Sequence, residues 1–162
     1  MFNKNNWQQP IYKNDLKTVL IFGISAMILG GILSGLLEAL LYDLQIRISF
    51  CLLLNAVFIG FLVKKAYANY HILYPTLAII FYFFSFFFSD LGRNVGILGF
   101  GNLGYIFTSP QTYYYFIIIP FRNLIYMINY GFDFVLLLFL LLNIFFYILG
   151  YISVYKLSKG RN

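Results

Sequence analysis

The sequence predicts an all-α membrane protein, a bundle of four transmembrane helices with an interfacial or re-entrant helical connection between the third and the fourth. Three observations carry this. Apolar stretches at 18–42, 44–63, 72–89 and 134–155 each approach the ~20 residues that a bilayer-spanning helix needs. Hydrophobic residues make up 62% of the chain and charged residues 10%, against about 25% charged in soluble domains. The charges gather at the ends of the stretches rather than within them. A single integral membrane domain, 1–162, accounts for the whole chain, with short tails at 1–17 and 156–162.

The first stretch is a permanent helix rather than a cleaved leader. Its apolar core exceeds the ~7 to 15 residues of a signal-peptide core, and no small-x-small cleavage site flanks it cleanly. It also carries a packing signature. Ala26, Gly30 and Ser34 form one series of small residues four apart, and Gly31 with Gly35 forms a neighbouring one. In lipid the hydrophobic effect does not draw helices together, so close contact across small residues is a principal source of association. These five residues are the predicted helix-packing face, and the expected use of that face is a homo- or hetero-oligomer through helix 1. Helical steps from Gly31 and Gly35 lead to Glu38, which therefore lies along the same seam near one end.

For the second stretch, Asp43 is placed to cap the helix, and Arg47 four residues later puts the opposite charge on one face of its first turn. A tight outer hairpin follows from this. The third stretch contains Pro75, which suits a first helical turn; a start there and an end at Ser89 leave only ~22 Å of helix at 1.5 Å per residue. The fourth begins after Asp133, a second capping candidate, and ends with Tyr151, Tyr155 and Lys156 as an aromatic and basic anchor.

The connection 90–132 is too apolar for a solvated loop and too punctuated for a plain span. Gly92, Gly96, Gly99, Gly101 and Gly104 loosen its first half, while Ser109 and Pro110 read as an N-cap and first position of a helix toward Tyr130. Pro120 splits that helix. Its many tyrosines suit the headgroup level. A fifth span is the competing reading, with Arg122 and Pro120 at its centre and the basic C-terminal tail displaced outward.

Charge sets the orientation. Lys4, Lys13 and Lys17 precede the first helix, Lys64 and Lys65 follow the second, and Lys156, Lys159 and Arg161 follow the fourth. The positive-inside rule therefore predicts a multi-pass cell-membrane protein with both termini cytoplasmic. The net charge of +6 is this juxtamembrane fringe and forms no basic face, which argues against nucleic acid as a partner.

Few residues point to chemistry. The lone Cys51 lies within the second stretch, His71 has no second histidine to work with, and the glycines at 99, 101 and 104 lack the strand and register of a nucleotide-binding turn. No metal-ligand cluster or nucleophile constellation is present in the pattern, so neither an enzyme nor a cofactor is expected. Asn55 and Asn143 suit hydrogen bonds between helices. The polar residues that remain, Glu38, Arg47, Arg93 and Arg122, group toward the outer side as a possible polar site. Two functions fit: a noncatalytic accessory or structural subunit in the lipid bilayer, or a small-solute transport component with an outward-facing polar entrance.

Overall fold

The computed structural model describes residues 10–44, 50–110, 113, 117 and 121–159, with the side chains of residues 43, 122 and 123 outside that description. The described residues form helices joined by short turns, with no strand among them. The elements are α1 (Lys13–Asp43), α2 (Phe50–Lys65), α3 (Leu73–Leu98), a short 3-10 turn (Phe100–Asn102), α4 (Leu103–Thr108), α5 (Arg122–Tyr130) and α6 (Phe134–Lys159). Three of them, α1, α3 and α6, are long and apolar enough to cross a membrane. The described part of α2 is 16 residues, ~24 Å at 1.5 Å per residue. It follows residues 45–49, where Arg47 and most of the expected outer hairpin fall, outside the described residues.

Several boundaries differ from the sequence expectation. Helix α1 starts at Lys13 rather than residue 18, because Asp15 in its first turn suits the positive helix N-terminus and the Thr18 hydroxyl donates back to the Asn14 carbonyl at 2.9 Å. Asp43 closes α1 instead of opening α2. The largest correction is α3, which continues to Leu98 where an end at Ser89 was expected. Asp90 and Arg93, read as a boundary, sit one turn apart and pair at 3.6 Å within the helix. The connection therefore begins at Gly99, whose φ of +81 ends α3 while its N–H donates to the Val95 carbonyl at 2.8 Å. Gly131, at φ +99, ends α5 in the same way with a 3.0 Å bond to the Met127 carbonyl.

Two further expectations meet the structure differently. Ser109 follows the end of α4, an element not foreseen, although Pro110 does open a turn in which its carbonyl accepts the Tyr113 N–H at 3.1 Å. Asp133 caps α6 as expected, its Oδ1 accepting the Val135 N–H at 2.7 Å. Helix α6 then runs to Lys159, four residues beyond the predicted end.

The helices alternate in direction. Gly23, Gly31, Gly35 and Ala39 of α1 meet Phe81, Ser85, Ser89 and Gly96 of α3 in ascending order, so α1 and α3 are parallel. Gly30 of α1 lies against Asn55 and Phe58 of α2, and Asp15 near the start of α1 bonds to Asn69 beyond the end of α2, so α2 returns antiparallel. Helix α6 descends beside α2, with Gly60 on Val154 and Leu157 and Tyr67 bonded to Ser158. The core lies where these four meet, around Leu52, Ala56, Ile59, Tyr74, Ala78, Tyr82, Phe86 and Val154. This topology collects Lys13, Lys17, Lys64, Lys65, Lys156 and Lys159 at one end of the bundle.

Candidate functional site

The predicted packing face of α1 is divided between two neighbours in its own chain. A Cβ at Gly31 would lie 2.6 Å from the Phe88 Cβ and 2.7 Å from the Ser85 carbonyl; one at Gly35 would strike the Ser89 carbonyl and lie 2.7 Å from the Arg93 backbone N. These two glycines face α3. The contact is reciprocal, since a Cβ at Gly92 would lie 3.0 Å from the Ile32 Cα and one at Gly96 would lie 2.5 Å from the Ala39 Cβ. Gly92 and Gly96, read from the sequence as loosening a loop, are the matching half of a glycine-lined helix pair. Gly30 turns instead toward α2, where Phe58 Cδ1 would be 3.0 Å from its Cβ and Asn55 Oδ1 closer still. Ala26 is buried in the core and Ser34 is buried beside α3.

Polar groups run along these interfaces. Asn55 Nδ2 donates to Ser85 Oγ at 2.7 Å, and the Ser85 hydroxyl donates to the Tyr82 carbonyl at 2.6 Å. Ser34 Oγ lies 2.8 Å from the Gly31 carbonyl and 3.2 Å from Ser89 Oγ. Asn55 thus joins helices as expected, through a partner on α3. The spacing of Ser85, Ser89 and Arg93, each four apart like Ala26, Gly30 and Ser34, was the available signal for this strip.

At the end remote from the lysines the seam becomes ionic. Glu38 is buried, and Asp90 is 2% exposed. The Arg93 guanidinium lies 3.6 Å from Asp90 Oδ1, and Asn94 Nδ2 donates to Asp90 Oδ2 at 3.3 Å. Arg93 also stands across from Gly35 while Glu38 is one turn beyond Gly35 on the facing helix. Glu38 and Arg93, two members of the predicted polar site, therefore share one end of the α1–α3 interface, and Asp90 is a member that sequence reasoning missed. Arg47 lies outside the described residues; Arg122 opens α5, with its side chain outside the description. A buried ion pair of this kind contributes little net stability against an apolar substitute, yet removing one partner strands the other charge.

The opposite end is aromatic. The Tyr67 phenol donates to the Ser158 carbonyl and lies 3.2 Å from that of Lys159, fixing the α2–α3 turn to the end of α6. Tyr67 stacks on Tyr74 with ring centres 4.9 Å apart, and the Lys64 ammonium lies 4.7 Å from the Tyr67 ring centre. Burial, with Tyr70 and Tyr74 nearby, pushes the Tyr67 phenol up to about 12.

Cys51 is buried in α2. Among the described residues, no three of the His, Cys, Asp and Glu side chains come together as a metal-holding group. No protein-family model, curated protein or solved structure matches the chain.

Proposed function

We propose that the chain is a noncatalytic cell-membrane protein that crosses the bilayer four times and serves as an accessory or structural subunit. The observation that carries this reading is where its polar groups are spent. Asn55, Ser85, Ser34, Ser89, Asp90 and Arg93 bond to one another or to backbone inside the bundle, which makes a scaffold of them. Between their ends, the outward faces of the long helices are aliphatic and aromatic.

Four crossings are supported by direction. Two parallel helices each long enough to span, α1 and α3, require the intervening chain to return, and α2 runs antiparallel between them. The shared basic end supports cytoplasmic termini. Exposed Tyr105, Ile128, Tyr130 and Phe132 support an interfacial connection at the other surface, where amphipathic aromatic residues settle.

Because Gly30, Gly31 and Gly35 are covered by α2 and α3, an oligomer through helix 1 uses a different face of it. Leu29, Leu33, Leu37 and Leu40 follow one another at helical spacing and are 59%, 59%, 46% and 62% exposed. Native mass spectrometry of the gently solubilised protein tests the reading. A stoichiometric companion chain or second copy, lost on changing Leu33 and Leu37 to alanine, is expected; a protein that is always solitary refutes it.

The buried group of Glu38, Asp90 and Arg93 favours a second reading, a small-solute transport component entered from the end remote from the lysines. Under that reading Glu38→Gln removes solute binding while leaving assembly intact. Loss of folding and binding together would make Glu38 a structural acid.

A further inference from the structure

The start of α3 is held by one histidine used twice. The first backbone N–H groups of a helix have no acceptor within it. Here the Leu73 N–H donates to His71 Nδ1 at 3.1 Å, and the Tyr74 N–H donates to the His71 carbonyl at 3.0 Å. Pro75 comes next and has no N–H to satisfy. His71 thus accepts both donors that the first turn of α3 presents ahead of the proline. It is 3% exposed, its ring meets that of Tyr74 edge-on with centres 5.9 Å apart, and its Nε2 has no hydrogen-bond partner. Neutral imidazole has one accepting and one donating nitrogen. Since Nδ1 accepts from Leu73, the single proton resides on Nε2, and a second proton has only Nδ1 to occupy. That proton would convert the acceptor into a donor aimed at another donor.

We propose that His71 is a proton-sensitive latch on the α2–α3 turn, closing the start of α3 when neutral and releasing it when protonated. The turn it guards ties the basic end together. Asn69 donates to Asp15 of α1 at 3.0 Å, and Tyr67 bonds to the Ser158 carbonyl of α6. Acid on the lysine-bearing side therefore loosens the junction of three helices at once. Among the described residues, the other ionisable groups around this turn include Asp15 from α1, Lys64 from α2, Tyr67 and Tyr70 from the turn, Tyr74 from α3, and Tyr155 and Lys159 from α6. Burial moves both the Tyr67 and the Tyr70 phenol upward, so neither changes charge in the interval around pH 5 to 8 where histidine does. Lys64 lies over the Tyr67 face, and Asp15 is held by the Asn69 N–H rather than by the imidazole.

The test is amide hydrogen exchange of Leu73 and Tyr74 in the full-length protein in lipid nanodiscs, corrected for intrinsic rates and referenced to amides in the middle of α6. Between about pH 8 and pH 5, wild-type protection of these two amides is expected to fall roughly five- to tenfold, as for the loss of one hydrogen bond. His71→Asn places a carbonyl oxygen where Nδ1 stood and cannot titrate, so its protection should stay high and flat. His71→Ala should be open throughout, and if that variant does not fold the asparagine comparison stands alone. A wild-type profile that is flat, or an asparagine variant that still opens with acid, would overturn the latch.

Discussion

Gly35→Ala is the sharpest single perturbation of this bundle. The added methyl would strike the Ser89 carbonyl and lie 2.7 Å from the Arg93 backbone N, where ordinary contact begins at 3.4 Å. Relief at Arg93 alone requires at least 0.7 Å of separation, and both obstacles are backbone atoms of α3, which cannot rotate away as a side chain would. Opening a packed interface in this way costs roughly 1–3 kcal/mol, and the rigidity of the obstacle places Gly35 at the upper end. In the bilayer setting proposed above, lipid would not push the helices back together, so the lost packing would have no compensation from apolar burial. The control is Gly104→Ala in α4, where a Cβ meets nothing within 4 Å; there alanine should be neutral or gain up to ~1 kcal/mol from helix propensity. Reversible unfolding in mixed detergent micelles, titrated with SDS, reads both. If Gly35→Ala stays within about 0.5 kcal/mol of wild type, or Gly104→Ala loses as much as it does, the intrachain α1–α3 seam is wrong and the face is open for another protein.

Three smaller changes test other joints of the structure. Asn55→Ala should weaken folding by ~0.6 kcal/mol, with a ceiling near ~1.7, and a double-mutant cycle with Ser85→Ala should recover most of that as coupling because the 2.7 Å bond joins them; additive losses would refute the pairing. Tyr67→Phe should release the end of α6 at a cost of about 1 kcal/mol, seen as faster tryptic cleavage after Lys156 and Lys159, while an unchanged digestion pattern would deny the bond to Ser158. Asp133→Ala removes the acceptor 2.7 Å from the Val135 N–H and should raise hydrogen exchange at residues 134–137 for a loss of ~1 kcal/mol, with the middle of α6 unaffected.

The long apolar segments, the Asp133 cap, the place of Pro75 in a first turn and the small-residue series on α1 were all legible, because each depends on neighbours within a turn or two. The extent of α3 was not. Asp90 and Arg93 look like a helix boundary when each is counted as an isolated charge near a membrane surface, whereas their mutual contact and the Asn94 bond to Asp90 make them tolerable inside a helix. Gly92 and Gly96 carried the same four-residue spacing as Gly31 and Gly35, yet five glycines in thirteen residues read more readily as a flexible loop. Which chain covers a small-residue face is a question of tertiary topology, and local spacing is silent on it. His71 was placed correctly in the short turn, but its capping role depends on ring orientation, which composition does not encode. Of the predicted polar site, Glu38 was singled out by helical phase and charge and Arg93 by charge alone, and the structure brings them to one end of the α1–α3 interface, whereas Asp90 was hidden by its assignment to a loop.

The parallel seam between α1 and α3 joins partners more than fifty residues apart in the chain, with α2 lying between them in sequence. During synthesis, then, the ribosome delivers Gly31 and Gly35 well before the serines and glycines that complete them, and α2 must turn back first. A chain that ended near residue 80 would lack Ser85, Ser89, Gly92 and Gly96, the residues that cover the stripe. The stripe on α1 is thus a surface whose cover is supplied only by a segment made later in the chain.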